Sequence, residues 1–91
     1  MANGMFGANL ADLDSLKSLF ENKSGEVEAL TKQLDGRVKP GATAWSGPGA
    51  DKFRTAWESD FAPAMDKLKI ALNEAAVAVS KYRQNIEAAT R

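Results

Sequence analysis

The first third of the chain has apolar residues at helical spacing. Leu13, Phe20, Val27 and Leu34 recur every seven residues, and further apolar residues follow three positions later. This heptad pattern predicts a long amphipathic helix over about residues 9–38, with Asn9 as its N-cap. The apolar positions are Leu13, Leu16, Phe20, Val27, Leu30, Leu34 and Val38.

The dipeptide Ser24-Gly25 interrupts this stretch and allows two interpretations. Either the helix ends there and a second one begins, or one helix passes through at a cost of about 1 kcal/mol for the glycine. The step from Phe20 to Val27 keeps the seven-residue phase, which favours one continuous helix.

The second half carries two interleaved heptad series, which predict a helix over about residues 49–89. Pro63 lies inside it. The helix is either kinked near Ser59 or restarted with Pro63 in a first turn. The undisturbed apolar phase favours the kink. The apolar positions are Ala50, Phe53, Trp57, Phe61, Met65, Leu68, Leu72, Ala75, Val79, Tyr82, Ile86 and Ala89.

Residues 39–48 form the predicted bend between the two helices. Five helix-breaking residues lie between positions 40 and 49, so the chain reverses direction there. Ser46 is the predicted cap of the second helix, and Trp45 is predicted to fold back as a plug between the helix ends. The expected fold is an all-α, antiparallel two-helix hairpin that forms a single domain over residues 1–91.

Composition removes most catalytic chemistry. Twelve acidic residues balance twelve basic ones, and the chain contains neither cysteine nor histidine. No basic stripe points to nucleic acid, and a neutral amphipathic chain is a poor membrane binder. Without His or Cys, the scattered carboxylates and serines offer no metal site and no activated nucleophile. We therefore expect no enzyme, no catalytic residues, no metal and no cofactor.

Two further observations concern export and assembly. The N-terminus lacks a basic opening followed by an apolar run, so we expect no classical signal peptide. A hairpin of this size buries little surface, and Leu19, Ile70 and Val77 add apolar area outside the main stripes. We expect a second hairpin to cover this apolar area and to complete a four-helix bundle.

The tripeptide Trp45-Ser46-Gly47 lies between two long amphipathic helices, and Ala50, Phe53 and Trp57 follow it. In length, arms and bend the chain resembles the WXG family of small secreted proteins, whose best-known members are of the early-secreted-antigen type. The resemblance implies a hairpin that dimerises, with itself or with a paralogous hairpin, as a four-helix bundle. It also implies a cytoplasmic protein that is exported folded through a type VII (ESX-type) secretion system.

The family's export signal pairs a tyrosine with an acidic residue four positions later. Here Tyr82 is followed by Ile86 in that slot and by Glu87 one position beyond it. One residue rotates a helical side chain by about 100°. Either Glu87 substitutes for the signal carboxylate, or a partner carries the signal.

Each candidate residue has a structural and a functional interpretation. Trp45 either packs at the turn or is recognised by the secretion machinery, and Gly47 serves backbone geometry or close helix approach. Tyr82 is predicted to be a core residue in preference to an exposed signal. The aromatic residues Phe53, Trp57 and Phe61 form core in preference to a ligand box. The predicted core and dimer interface comprises Leu13, Leu16, Phe20, Val27, Leu30, Leu34, Phe53, Trp57, Phe61, Met65, Leu68, Leu72, Val79 and Ile86.

The resemblance implies two alternative functions. The first is a non-enzymatic export module that is secreted, or co-secreted with a partner, through type VII machinery. The second is an intracellular adaptor or targeting chaperone that pairs with the helical N-terminal domain of a larger toxin or effector. The displaced Glu87 motivates this second function.

Overall fold

The computed structural model describes residues 8–90, and they form a helical hairpin. Helix α1 spans Leu10–Val38 and is the first arm. The second arm consists of α2 (Pro48–Ala56), a π-helical turn (Trp57–Phe61) and α3 (Ala62–Thr90). Helices α1 and α3 pack side by side in a rod of 64 × 17 × 14 Å. No strand occurs within residues 8–90, so the prediction of an all-α hairpin is confirmed.

Helix α1 begins at a side-chain cap and then runs without a break. The Oδ1 atom of Asn9 accepts a hydrogen bond from the backbone N–H of Asp12 at 3.1 Å. The helix continues through Ser24-Gly25. There the Ser24 hydroxyl donates a hydrogen bond to the backbone oxygen of Lys69 on the other arm at 3.0 Å. The small polar residue thus joins the two arms.

The irregularity before Pro63 is a π-helical turn. The backbone N–H of Ala62 donates to the oxygen of Trp57, five residues back. Pro63 has no N–H to donate, and its ring would clash with the carbonyl of Ser59 in a regular α-helix. The sequence predicts a kink near Ser59, and the structure widens the helix there by one residue per turn. The four-residue step from Trp57 to Phe61 suits this wider turn.

The bend contains a glycine whose backbone angles other residues avoid. Gly47 has φ 108° and is the N-cap of α2, with Pro48 as the first helical residue. A Cβ at Gly47 would meet no atom within 4 Å, so backbone geometry and not close packing requires glycine here. The prediction that Ser46 caps α2 is wrong, because the cap residue is Gly47 and it makes no side-chain cap hydrogen bond.

Candidate interaction surface

Four residues of the described chain are buried, and three of them are small. We call Ser24, Ala50, Trp57 and Ala76 the buried set. Small side chains let helix backbones approach closely, and the Ser24–Lys69 hydrogen bond between the arms is consistent with such an approach. The hairpin is therefore held together with little buried side-chain volume.

Trp57 is the one large member of the buried set, and it fastens the second arm to α1. Its side chain is only 6% exposed. The indole Nε1–H donates a hydrogen bond to Oδ1 of Asp35 on α1 at 3.0 Å. A hydrogen bond to a carboxylate is stronger than one between neutral groups. Trp57, which the sequence places among the core candidates, thus also has a specific polar partner that the apolar pattern does not reveal.

Trp45 occupies the opposite kind of environment. It is 48% exposed, so the prediction that it plugs the space between the helix ends is wrong. Its ring centroid lies 5.8 Å from that of Phe53, and Phe53 lies 6.1 Å from Phe61 in turn. Both phenylalanines are also exposed. These three residues form an aromatic row on the surface, and no enclosed ligand box forms around them within residues 8–90.

Arg54 holds the backbone of the bend in place. Its Nε donates to the oxygen of Val38 at 2.8 Å, and its Nη2 donates to the oxygen of Trp45 at 2.9 Å. The hydroxyl of Thr43 adds a hydrogen bond to the oxygen of Arg37 at 2.7 Å. The bonds to the oxygens of Arg37 and Val38 satisfy carbonyl groups at the C-terminus of α1 that have no partner in the helix. Together, the three hydrogen bonds fix the main chain from which the Trp45 indole projects.

The aromatic row continues into a larger exposed apolar face. Leu34 lines a groove together with Trp45 and Phe53, so α1 contributes to the same surface. On the second arm, Leu68 follows Phe61 by seven residues and extends the face along α3. We define the exposed apolar face as Leu16, Leu19, Leu30, Leu34, Trp45, Phe53, Phe61 and Leu68, all of which are exposed.

The leucines of α1 share one side of that helix. At 100° per residue, Leu16, Leu19, Leu30 and Leu34 fall within an arc of about 60°. The sequence analysis grouped Leu19 with Ile70 and Val77, and the helix geometry separates them. Ile70 is about 200° from Leu68 around α3 and therefore lies on the opposite side.

The remaining core candidates are less buried than the buried set and less exposed than the exposed apolar face. Side chains of the two arms that face each other are half-buried in the single hairpin. They complete the contact between α1 and α3 but leave it open to solvent at its edges. These half-buried residues are Leu13, Phe20, Val27, Met65, Leu72, Val79 and Ile86.

The two residues of the candidate export signal, Tyr82 and Glu87, lie in different environments. Tyr82 is 66% exposed, so its prediction as a core residue is wrong. Glu87 instead accepts a hydrogen bond from Arg83 Nη1 at 2.9 Å. Arg83 Nε also donates to Asp14 on α1 at 2.8 Å. The hydrogen bond to Asp14 raises the pKa of Arg83 above its ordinary value, against the opposing effect of desolvation.

Within residues 8–90 no group of three His, Cys, Asp or Glu side chains is placed to hold a metal ion. None of the helices described there is long and apolar enough to cross a bilayer.

The fold and bend define a class of protein: a helical hairpin with Trp-x-Gly at the turn and an apolar face open to solvent. The sequence matches the family described as "WXG100: Proteins of 100 residues with WXG" over residues 6–90. The chain belongs to this family. Membership implies a small protein associated with type VII secretion. No curated protein and no solved structure matches the chain.

Proposed function

We propose that this protein is a non-enzymatic substrate or co-secreted partner of a type VII secretion system, and that it functions as a hairpin dimer. The observation that carries the proposal is the exposed apolar face. Eight large apolar side chains of this face lie in solvent in a chain whose buried set is mostly small. A patch of this kind marks a protein–protein interface. A second hairpin placed on it would complete a four-helix bundle.

The position of the candidate signal residues supports a dimer as the exported form. Arg83 pairs with Asp14 near the start of α1, so Tyr82 lies at the end of the rod opposite the bend. Trp45 lies at the bend itself, and the rod is 64 Å long. One hairpin therefore does not bring Trp45 and Tyr82 together. A composite surface of both residues requires two chains.

The test is export from the native host before and after deletion of the secretion ATPase. The protein is expected in the culture supernatant of the parent strain and is expected to remain in the cytoplasm of the deletion strain. Unchanged amounts in both supernatants would contradict the proposal. Trp45→Ala is expected to reduce export. Ile70→Ala, an exposed apolar change away from the face, is the matched control and is expected to export normally.

A second function is favoured by the environment of Glu87. Its carboxylate is engaged by Arg83 and does not share a face with Tyr82. A partner that supplies the complete signal would remove the need for one here, as in an adaptor for the helical N-terminal domain of a larger secreted effector. Co-expression with the neighbouring gene product is expected to give a stoichiometric complex in that case. Homodimers that never exchange with that product would exclude the adaptor function.

A further inference from the structure

The α1 part of the exposed apolar face carries charged residues among its leucines, and one pair of opposite charges lies at the middle of the helix. Lys23 Nζ lies 3.2 and 3.3 Å from the two carboxylate oxygens of Glu26. Both side chains are exposed, at 53% and 64%. Together with the four leucines of α1, they fall within an arc of about 80° around the helix. A partner that covers the leucines therefore also meets these two charges.

The order of residues along this arc is close to a palindrome. From Leu16 to Leu34 it reads leucine, leucine, lysine, glutamate, leucine, leucine, and its centre lies between Ser24 and Gly25. The same point is the middle of α1, which spans Leu10–Val38. A two-fold axis through this point exchanges position 23 with 26 and position 19 with 30. Leu16 and Leu34 come within one residue of exchanging places.

We infer that Lys23 and Glu26 select a second copy of this chain as the occupant of the exposed apolar face. In that dimer α1 lies antiparallel to α1 of the other copy, with each Lys23 opposite a Glu26. This inference rests on the proposed dimer and deepens it. A two-fold interface is self-complementary, so one pair of residues supplies two ion pairs. Leu19 then meets Leu30 on both sides of the charges.

Other arrangements lose this complementarity. A parallel pairing in the same register brings lysine against lysine and glutamate against glutamate, which is unfavourable. A partner without matching charges leaves Lys23 and Glu26 against apolar groups, at a desolvation cost. A single charged position in an apolar helix seam is a known determinant of register and partner choice. The pair thus contributes selectivity more than affinity.

The competing explanation is that the pair only stabilises its own helix. Exposed ion pairs three residues apart contribute a few tenths of a kcal/mol to a helix. The double swap Lys23→Glu/Glu26→Lys does not separate the two explanations, since it restores opposite charges both within and between chains. A mixture of the two single variants does separate them. In each single variant, positions 23 and 26 of the same chain carry like charges and repel each other. Between the two different variants, position 23 of one chain and position 26 of the other carry opposite charges and attract.

The experiment uses Lys23→Glu and Glu26→Lys, alone and mixed, with different tags for native mass spectrometry. Each variant alone is expected to raise the Kd of the homodimer about tenfold or more. The mixture is expected to give heterodimers well above the share of about one half that random pairing gives. The preference is expected to weaken in high salt.

The orientation is tested by disulfide formation in a chain that has no cysteine of its own. Antiparallel helices predict that a mixture of Leu19→Cys and Leu30→Cys chains oxidises to mixed disulfide dimers. A parallel arrangement predicts that Leu19→Cys crosslinks to itself. The second result would overturn the inferred pairing.

The outcomes separate this inference from the proposed function. A wild-type dimer with random mixing of the charge variants overturns the selection by Lys23 and Glu26 but leaves the hairpin dimer intact. A wild-type chain that dimerises only with a different protein also overturns it, and then supports the adaptor function. A strictly monomeric chain in all conditions overturns both the inference and the dimer.

Discussion

The buried set and the exposed apolar face differ in the size of their side chains, although both come from the same helical repeats. The buried residues are a serine, two alanines and one tryptophan, while the larger apolar side chains that face each other between the arms are only half-buried. Large leucine, phenylalanine and tryptophan side chains lie outside. Full burial of one such side chain is worth about 1.5–3 kcal/mol. A partner that covered the exposed apolar face would therefore add apolar stabilisation that the single hairpin lacks.

The two regions also differ in how specific their contacts are. The arms meet through directed hydrogen bonds, Ser24 to Lys69 and Trp57 to Asp35. The exposed apolar face has few polar groups and depends on area. We propose that the buried set fixes how one hairpin folds and that the exposed apolar face determines which partner the hairpin binds. The same substitution made at a buried and at an exposed position can test whether the two kinds of position have these different roles.

The largest expected effect on folding comes from added volume between the arms. Ala76→Leu inserts a branched side chain at a buried position, so we expect a loss of about 2–3 kcal/mol in the free energy of unfolding. Ala78→Leu is the matched control at an exposed position of the same helix and is expected to change it by less than about 0.5 kcal/mol. Urea unfolding at fixed protein concentration measures both. Equal losses would show that the arms do not pack closely at Ala76.

A matched pair of tryptophan substitutions gives the next largest difference. Trp57→Phe removes the donor to Asp35 and part of a buried ring, and we expect a loss of about 2 kcal/mol. Trp45→Phe keeps an aromatic ring against Phe53 at an exposed site and is expected to lose less than about 1 kcal/mol. Thermal unfolding followed by circular dichroism compares them. A larger loss for Trp45→Phe would reverse the roles assigned to the two indoles.

The smallest expected effect concerns the serine between the arms. Ser24→Ala removes the hydrogen bond to Lys69, for a net loss of about 0.5–1 kcal/mol after the better helix propensity of alanine is included. Ser18→Ala lies on the exposed side of α1 and is expected to stabilise the helix by a few tenths of a kcal/mol. Opposite signs in urea unfolding support the contact. The same sign for both would argue against it.

The sequence predicts the all-α hairpin because long heptad stripes and a dense group of helix breakers depend on local physics. It does not predict which side of each stripe faces the other arm. The sequence predicts that Trp45 plugs the turn and that Trp57 lies in the core, and only the packing of the arms exposes the first and buries the second. The π-helical turn is likewise a response to Pro63 within a tertiary contact.

The polar contacts are the part that sequence reasoning missed. Asp35, Arg54 and Arg83 belong to ordinary polar positions of their helices, and nothing in their spacing singles them out. Ser24 had a usable signal: it lies four residues after Phe20 and three before Val27, which is the spacing of a helix face. A small residue at such a position indicates close contact with another helix.

The central claim is that the exposed apolar face is one half of a core, and the solution mass of the purified chain tests it most directly. Sedimentation equilibrium is expected to give a dimer for the wild type and a helical monomer for Leu30→Glu/Leu68→Glu. The matched control Ile70→Glu/Val77→Glu, on the opposite side of α3, is expected to remain a dimer. A wild-type chain that stays monomeric and stable at high concentration would contradict the claim, as would a control that dissociates while the face variant remains dimeric.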